Sequence, residues 1–111
     1  MGKEKNRNKN IRSEFRTSDK AKGHMSYVFR KEADQLKFLS MTHNPPDDKR
    51  DKYKQLTHSV DPKDKRDAYI NTEVDSDHYL NFGPKKKDFY FKEEDKKVVK
   101  RIIKKNKKSE K

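Results

Sequence analysis

The sequence predicts a small α+β domain: a β-hairpin and a short third strand beside a C-terminal amphipathic helix, with disordered basic tails at both ends. Three observations carry that reading. Aromatic and β-branched residues concentrate at 25–30 and again at 36–42. Val98, Val99, Ile102 and Ile103 recur at helical spacing. The excess positive charge, a formal +12 overall, sits at the two ends. Residues 1–22 hold eight Lys/Arg against three acids and residues 85–111 hold thirteen against five, while the stretch between them holds ten against eleven.

Taken in order, residues 1–22 show no apolar periodicity. Ile11 and Phe15 stand alone among Lys, Arg, Asn and Ser, the pattern of a basic arm without structure. From Gly23 the pattern changes. In a hairpin, Met25, Tyr27 and Phe29 share one face, Leu36, Phe38 and Ser40 share one face of the return strand, and the polar residues 31–35 connect them. A helix competes for the same stretch, since Phe29, Ala33, Leu36 and Ser40 follow i, i+4, i+7, i+11. The hairpin is preferred, because a helix scatters Tyr27, Val28, Phe38 and Leu39 around its circumference. Pro45 and Pro46 then end the unit by removing two donors and disfavouring αR.

Residues 49–84 are polar, punctuated by Leu56, Val60, Tyr69, Ile70, Val74, Tyr79, Leu80 and Phe82, and read as a long loop with one short strand around 68–70, pinned to the core by its aromatics. The last element is a helix over 92–107. Glu93, Glu94 and Asp95 open it and lysines close it, which suits the helix macrodipole. The expected organisation is an arm at 1–22, one α+β domain at 23–105 and a basic tail at 106–111.

Composition narrows the classes. With 27% hydrophobic and 45% charged residues, the chain sits near the border where apolar burial no longer offsets ordering entropy. The absence of cysteine excludes a disulfide scaffold and a Cys-ligated zinc. No apolar run approaches the ~18 residues of a membrane span. The first residues lead into no hydrophobic stretch, so neither a secretory signal nor a membrane partner is expected, and the setting expected is cytoplasmic. His24, His43, His58 and His78 form no i, i+4 pair and no metal motif, so neither metal nor cofactor is expected.

Basic ends around a neutral middle point to a polyanion, and nucleic acid, DNA or RNA, is the expected partner. The candidate phosphate contacts are Lys96, Lys97, Lys100, Arg101, Lys104 and Lys105 on the helix, Lys65 and Arg66 in the loop, and Arg12 and Arg16 in the arm. Lysines outnumber arginines 24 to 7, which favours sequence-tolerant phosphate contact over bidentate reading of bases. Part of that lysine excess matches the bias of AT-rich coding. Phe29, Phe38 and Phe91 read as core, whereas Tyr53 and Tyr69 lie near basic residues and are candidates for base stacking. The run Lys85-Lys86-Lys87 resembles a nuclear localisation signal, a match that 24 lysines produce by chance. Two other functions fit. One is a small metal-independent, toxin-like ribonuclease with His43 as its acid–base candidate, near Thr42, Lys65 and Arg66. The other is a structural component of a larger ribonucleoprotein complex, with extended basic tails.

Five stretches carry a resemblance: Gly23-His24-Met25-Ser26-Tyr27-Val28-Phe29, Leu39-Ser40-Met41-Thr42-His43, residues 61–69, Phe82-Gly83 and the acidic-to-basic last helix. Together, over residues 23–103, they resemble small basic proteins encoded in AT-rich bacterial genomes, often associated with phages or mobile elements. The resemblance implies a bacterial or phage cytoplasmic setting and brings no activity and no catalytic residue with it.

Overall fold

Backbone pairing, more than apolar content, decides which residues join the sheet. The computed structural model describes residues 10–109, with side chains through residue 107. Among them β1 (Ile11–Thr17), β2 (Met25–Glu32) and β3 (Gln35–Thr42) form an antiparallel meander. β4 (Tyr53–Gln55), β5 (Tyr69–Asn71), β6 (Asp75–His78) and the helix α1 (Glu93–Ser109) follow. The order across the sheet is β1-β2-β3-β5-β4, and β6 also pairs with β3. β5 and β6 lie end to end along one edge of β3, since Met41 faces Ile70 while Phe38 faces Asp75. They behave as a single strand interrupted at residues 72–74, with β4 continuing the sheet beyond β5.

Three expectations are corrected here. Ile11–Thr17 is a strand, not part of a disordered arm. Its one buried hydrophobic residue is Phe15, and its order comes from a backbone ladder with β2 that includes Phe15 opposite Tyr27 and Thr17 opposite Met25. Charged side chains on a strand at the sheet edge hide it from any search for apolar periodicity. Residues 18–24 close as a turn in which the Gly23 N–H donates to the Ser18 carbonyl (2.8 Å) and Gly23 takes φ 83°. A residue without Cβ adopts that conformation at little steric cost. Residues 1–9 of the expected arm lie outside the described residues. The loop expected at 49–84 is likewise more ordered: it holds β4, β5, β6 and two 3-10 turns, Asp47–Lys52 and Tyr79–Asn81, with the expected strand at 68–70 appearing as β5. At the far end, residues 106–109 of the expected tail continue α1.

Residues 25–42 form a hairpin, and the helical alternative falls. Its turn is tighter than the polar stretch 31–35 suggests. Glu32 pairs with Gln35, leaving only Ala33 and Asp34 in the connection, with Ala33 at φ 55°. Lys31, Glu32 and Gln35 satisfy the ladder with their backbone while their side chains meet solvent or partners such as Arg30, 3.2 Å from Glu32.

Both faces of the sheet are covered. Toward α1, Phe15, Leu39, Met41 and Ile70 are buried with Val99, Ile102 and Phe91, and Met25, Tyr27 and Phe29 pack against them. On the opposite face Val28, Leu36 and Phe38 are buried beneath Phe82, whose ring meets Phe38 edge-on at 5.2 Å. The two apolar sets of the hairpin therefore serve opposite faces. β3 is buried on both, which is why Phe38 and Leu39 are buried in succession.

α1 presents Asp95, Val99, Ile102 and Asn106 along one stripe at i, i+4, i+7 and i+11, with Val98 and Ile103 beside it. Asp95 is 1% exposed. Its carboxylate accepts from the Thr57 N–H (2.9 Å), the Thr57 hydroxyl (3.0 Å) and the His58 N–H (3.4 Å). At the other end the Asn106 amide donates to the Thr72 carbonyl (2.9 Å) and accepts from the Val74 N–H (3.1 Å). The helix is thus fastened to the loop after β4 and to the break between β5 and β6. No helix among the described residues is long and apolar enough to cross a membrane.

Removing the buried Asp95 carboxylate takes the acceptor from the Thr57 and His58 amides, so Asp95→Ala should cost about 1.5–3 kcal/mol in a denaturant melt. Ile102→Ala should cost roughly 2–5 kcal/mol, and the exposed Lys97→Ala no more than about 0.5 kcal/mol. Equal effects from all three would mean that α1 does not pack as described.

Candidate nucleic-acid interface

The outer edge of β1 is covered by the chain that leads into α1. The Asp19 N–H donates to the Asn81 carbonyl (3.0 Å), the Gly83 N–H to Thr17 (2.9 Å) and the Lys86 N–H to Phe15 (2.8 Å). A Cβ on Gly83 would overlap the Thr17 hydroxyl oxygen, so the close approach depends on glycine. The Arg16 guanidinium fastens the same segment, donating to the Gly83 carbonyl and to Glu14, each at 2.9 Å. This pairing carries Lys85, Lys86 and Lys87 to one bank of a cleft. The chain then runs through Phe89-Tyr90-Phe91. Phe91 is buried edge-on against Tyr27 (4.8 Å) and Phe15 (5.0 Å). Tyr90, 48% exposed, is held by its N–H on the Val60 carbonyl at 3.0 Å.

The opposite bank is α1. Lys96 and Lys100, one turn apart, flank the buried stripe on the side facing Lys85–87 and line the cleft with them. The cleft encloses about 510 Å³ and is lined by Phe15, Tyr27, Phe89, Tyr90 and Phe91. Five lysines against one acid, Glu14, give its lining a formal +4. Burial pushes the Glu14 carboxyl up, but Arg16 and Lys85 (3.4 Å) outweigh it and hold the group below its ordinary value.

The other cavities are less basic. A cavity of about 390 Å³ on the far face carries Lys20, Lys22 and Lys49 against Asp75, with Lys20 tied to that aspartate at 2.7 Å. A cavity of about 370 Å³ beside residues 56–68 sets Lys65, Arg66 and Lys92 against Asp61, Asp64 and Asp67, which cancel. A third, of only about 30 Å³, is lined by Arg30, Lys37 and Lys107, so charge and size together single out the cleft.

The structure divides the sequence-predicted residues. Lys96 and Lys100 come together in the cleft, while Lys97, Arg101, Lys104 and Lys105 are exposed on α1 outside its lining. Arg16 is engaged in holding the edge segment, and Arg12 donates to the Ile11 carbonyl (3.1 Å) and lies 4.0 Å from Glu14. Arg66 grips Asp64 through two nitrogens (3.0 and 2.7 Å), and these bonds, with His43 adding to them, hold the Asp64 carboxyl well below the usual carboxylate range. Lys65 lines the neighbouring, charge-balanced cavity. Tyr53 lines the far-face cavity, and Tyr69 lies with the Arg50 guanidinium 5.9 Å from its ring centre.

His43 sits with Nδ1 2.8 Å from the Asp67 carbonyl and Nε2 3.0 Å from Asp64. The imidazole thus braces the end of β3 against residues 64–67. No group of three or more metal-ligating side chains is gathered among the described residues. Sequence reasoning did not place Lys85, Lys86 and Lys87 in the candidate site, where they line the cleft. The available signal was their position directly before three consecutive aromatics. Neither a family model, nor a curated protein, nor a solved structure matches this chain.

The Glu14 pairing has a pH signature. Because its folded pKa is depressed, its contribution is complete above the unfolded value of about 4.3 and is lost as pH falls through the lower folded value. Thermal melts of Glu14→Gln should show lower stability at neutral pH and a shallower decline below that value. An acid limb identical to that of the wild type would contradict the pairing.

Proposed function

We propose that this chain binds nucleic acid through the cleft between α1 and residues 85–91, mainly by phosphate contacts. The observation that carries the reading is the +4 lining of the largest cavity described, set over aromatic rings. Lys86, Lys87 and Lys100 make no ion pair among the described residues, so their ammonium groups are ready for phosphate. Lys85 and Lys96 do pair, with Glu14 (3.4 Å) and Glu93 (3.1 Å), but both lysines are at least half exposed. The exposed Lys96–Glu93 pair contributes about 0–1 kcal/mol and exchanges for a phosphate at little cost, while the mostly buried Glu14 keeps Arg16 (2.9 Å) as a partner when Lys85 turns to a phosphate. Lysine ammonium groups meet phosphate as point charges, which suits binding that tolerates many sequences.

Five such contacts give a log–log salt dependence of affinity near −4.5 for duplex and about −3.5 for a single strand. The double variant Lys87→Ala/Lys100→Ala should flatten that slope by roughly 1.5–2 units. Lys97→Ala/Arg101→Ala, on the outer face of α1, should change it far less. Anisotropy titrations across salt concentrations separate the two. If the outer-face pair has the larger effect, the interface lies on the exposed side of the helix instead.

A further inference from the structure

The cleft is more specific than a basic surface needs to be. Phosphate contact alone requires cations, yet the banks here stand over aromatic rings, one of which, Tyr90, is half exposed at the mouth. Tyr90 also lines the next cavity toward Lys92, whose ammonium lies 5.6 Å from its ring centre. A chain leaving the cleft in that direction passes over this ring. The backbone that carries the ring is fixed, because the Tyr90 N–H is bonded to the Val60 carbonyl (3.0 Å) and Phe89 and Phe91 on either side pack inward.

A duplex presents phosphates and groove edges while its base faces are stacked internally, so the exposed Tyr90 ring would find no stacking partner in it. An unpaired strand offers the missing surface, since every base has a π-face that an aromatic side chain can stack on without reading its identity. At about 510 Å³ the cleft falls in the range of cavities that enclose a small organic group, which fits one or two unpaired bases. We infer that the cleft takes single-stranded nucleic acid, with a base stacked on Tyr90 and the flanking phosphates held between Lys85–87 and Lys96/Lys100. This inference rests on the nucleic-acid reading above and narrows it to one class of strand.

The test compares a short labelled oligothymidylate with a duplex of equal length, using the full chain, its Tyr90→Ala variant and its Tyr90→Phe variant. The single strand should bind more tightly than the duplex. Tyr90→Ala should weaken the single strand about 5- to 100-fold while leaving duplex affinity and salt slope unchanged, and Tyr90→Phe should retain wild-type affinity. Matching thermal melts for the three proteins establish that the fold is intact. Equal or tighter duplex binding, or no single-strand loss in Tyr90→Ala, overturns the inference, and if duplex binding still depends on Lys87 and Lys100 the broader reading survives. Binding of neither strand overturns both.

Discussion

The fold depends on the two polar groups that fasten α1, Asp95 at its start and Asn106 near its end. An apolar stripe of Val98, Val99, Ile102 and Ile103 can slide or roll on a sheet of mixed side chains at small cost, because dispersion and burial are not directional. A buried carboxylate cannot. It is tolerated only where its hydrogen bonds are all made, and Asp95 finds those bonds at Thr57 and His58. Asn106, eleven residues later on the same stripe, finds its own at Thr72 and Val74. Together they set both the rotation and the axial position of the helix. That setting turns Lys96 and Lys100 toward the cleft and Lys97 and Arg101 toward solvent.

The second bank of the cleft follows from how the sheet edge is protected. An uncovered β1 would offer its unpaired backbone groups to another chain, and residues 81–86 occupy them instead. The covering requires Gly83 beside Thr17 and uses Arg16, which is why an arginine that reads as a phosphate contact is engaged within the fold. The segment that closes the edge also carries the lysine run. Protection of the edge and construction of the cleft are one structural event, and the aromatic cluster of Phe15, Tyr27 and Phe91 joins both banks beneath it.

Legibility in the sequence followed apolar burial. The helix was readable because Val98, Val99, Ile102 and Ile103 repeat with its period, and the hairpin because Tyr27, Val28, Phe38 and Leu39 cannot share one helical face. β1 and β6 were not. The sequence Asp75-Ser76-Asp77-His78 has little strand propensity and joins the sheet by pairing its backbone with residues 35–38. The helix-clamping role of Asp95 was also hidden, since an acid in a first turn already has a reason to be there. Lys85–87 looked like a chance match among 24 lysines until the fold set them opposite Lys96 and Lys100. For charged residues the sequence shows the supply of charge, and only the packing shows which charges converge.

Amide chemical-shift mapping during titration with an oligonucleotide tests the central claim most directly, because it reports where the ligand sits. The account predicts saturable shifts confined to residues 13–15, 27, 85–91, 96, 99 and 100, with the outer face of α1 around Lys97 and Arg101 and the far-face cavity around Lys22 and Lys49 nearly unchanged. Shifts spread evenly over all the lysines, or centred on Lys22 and Lys49, would contradict it.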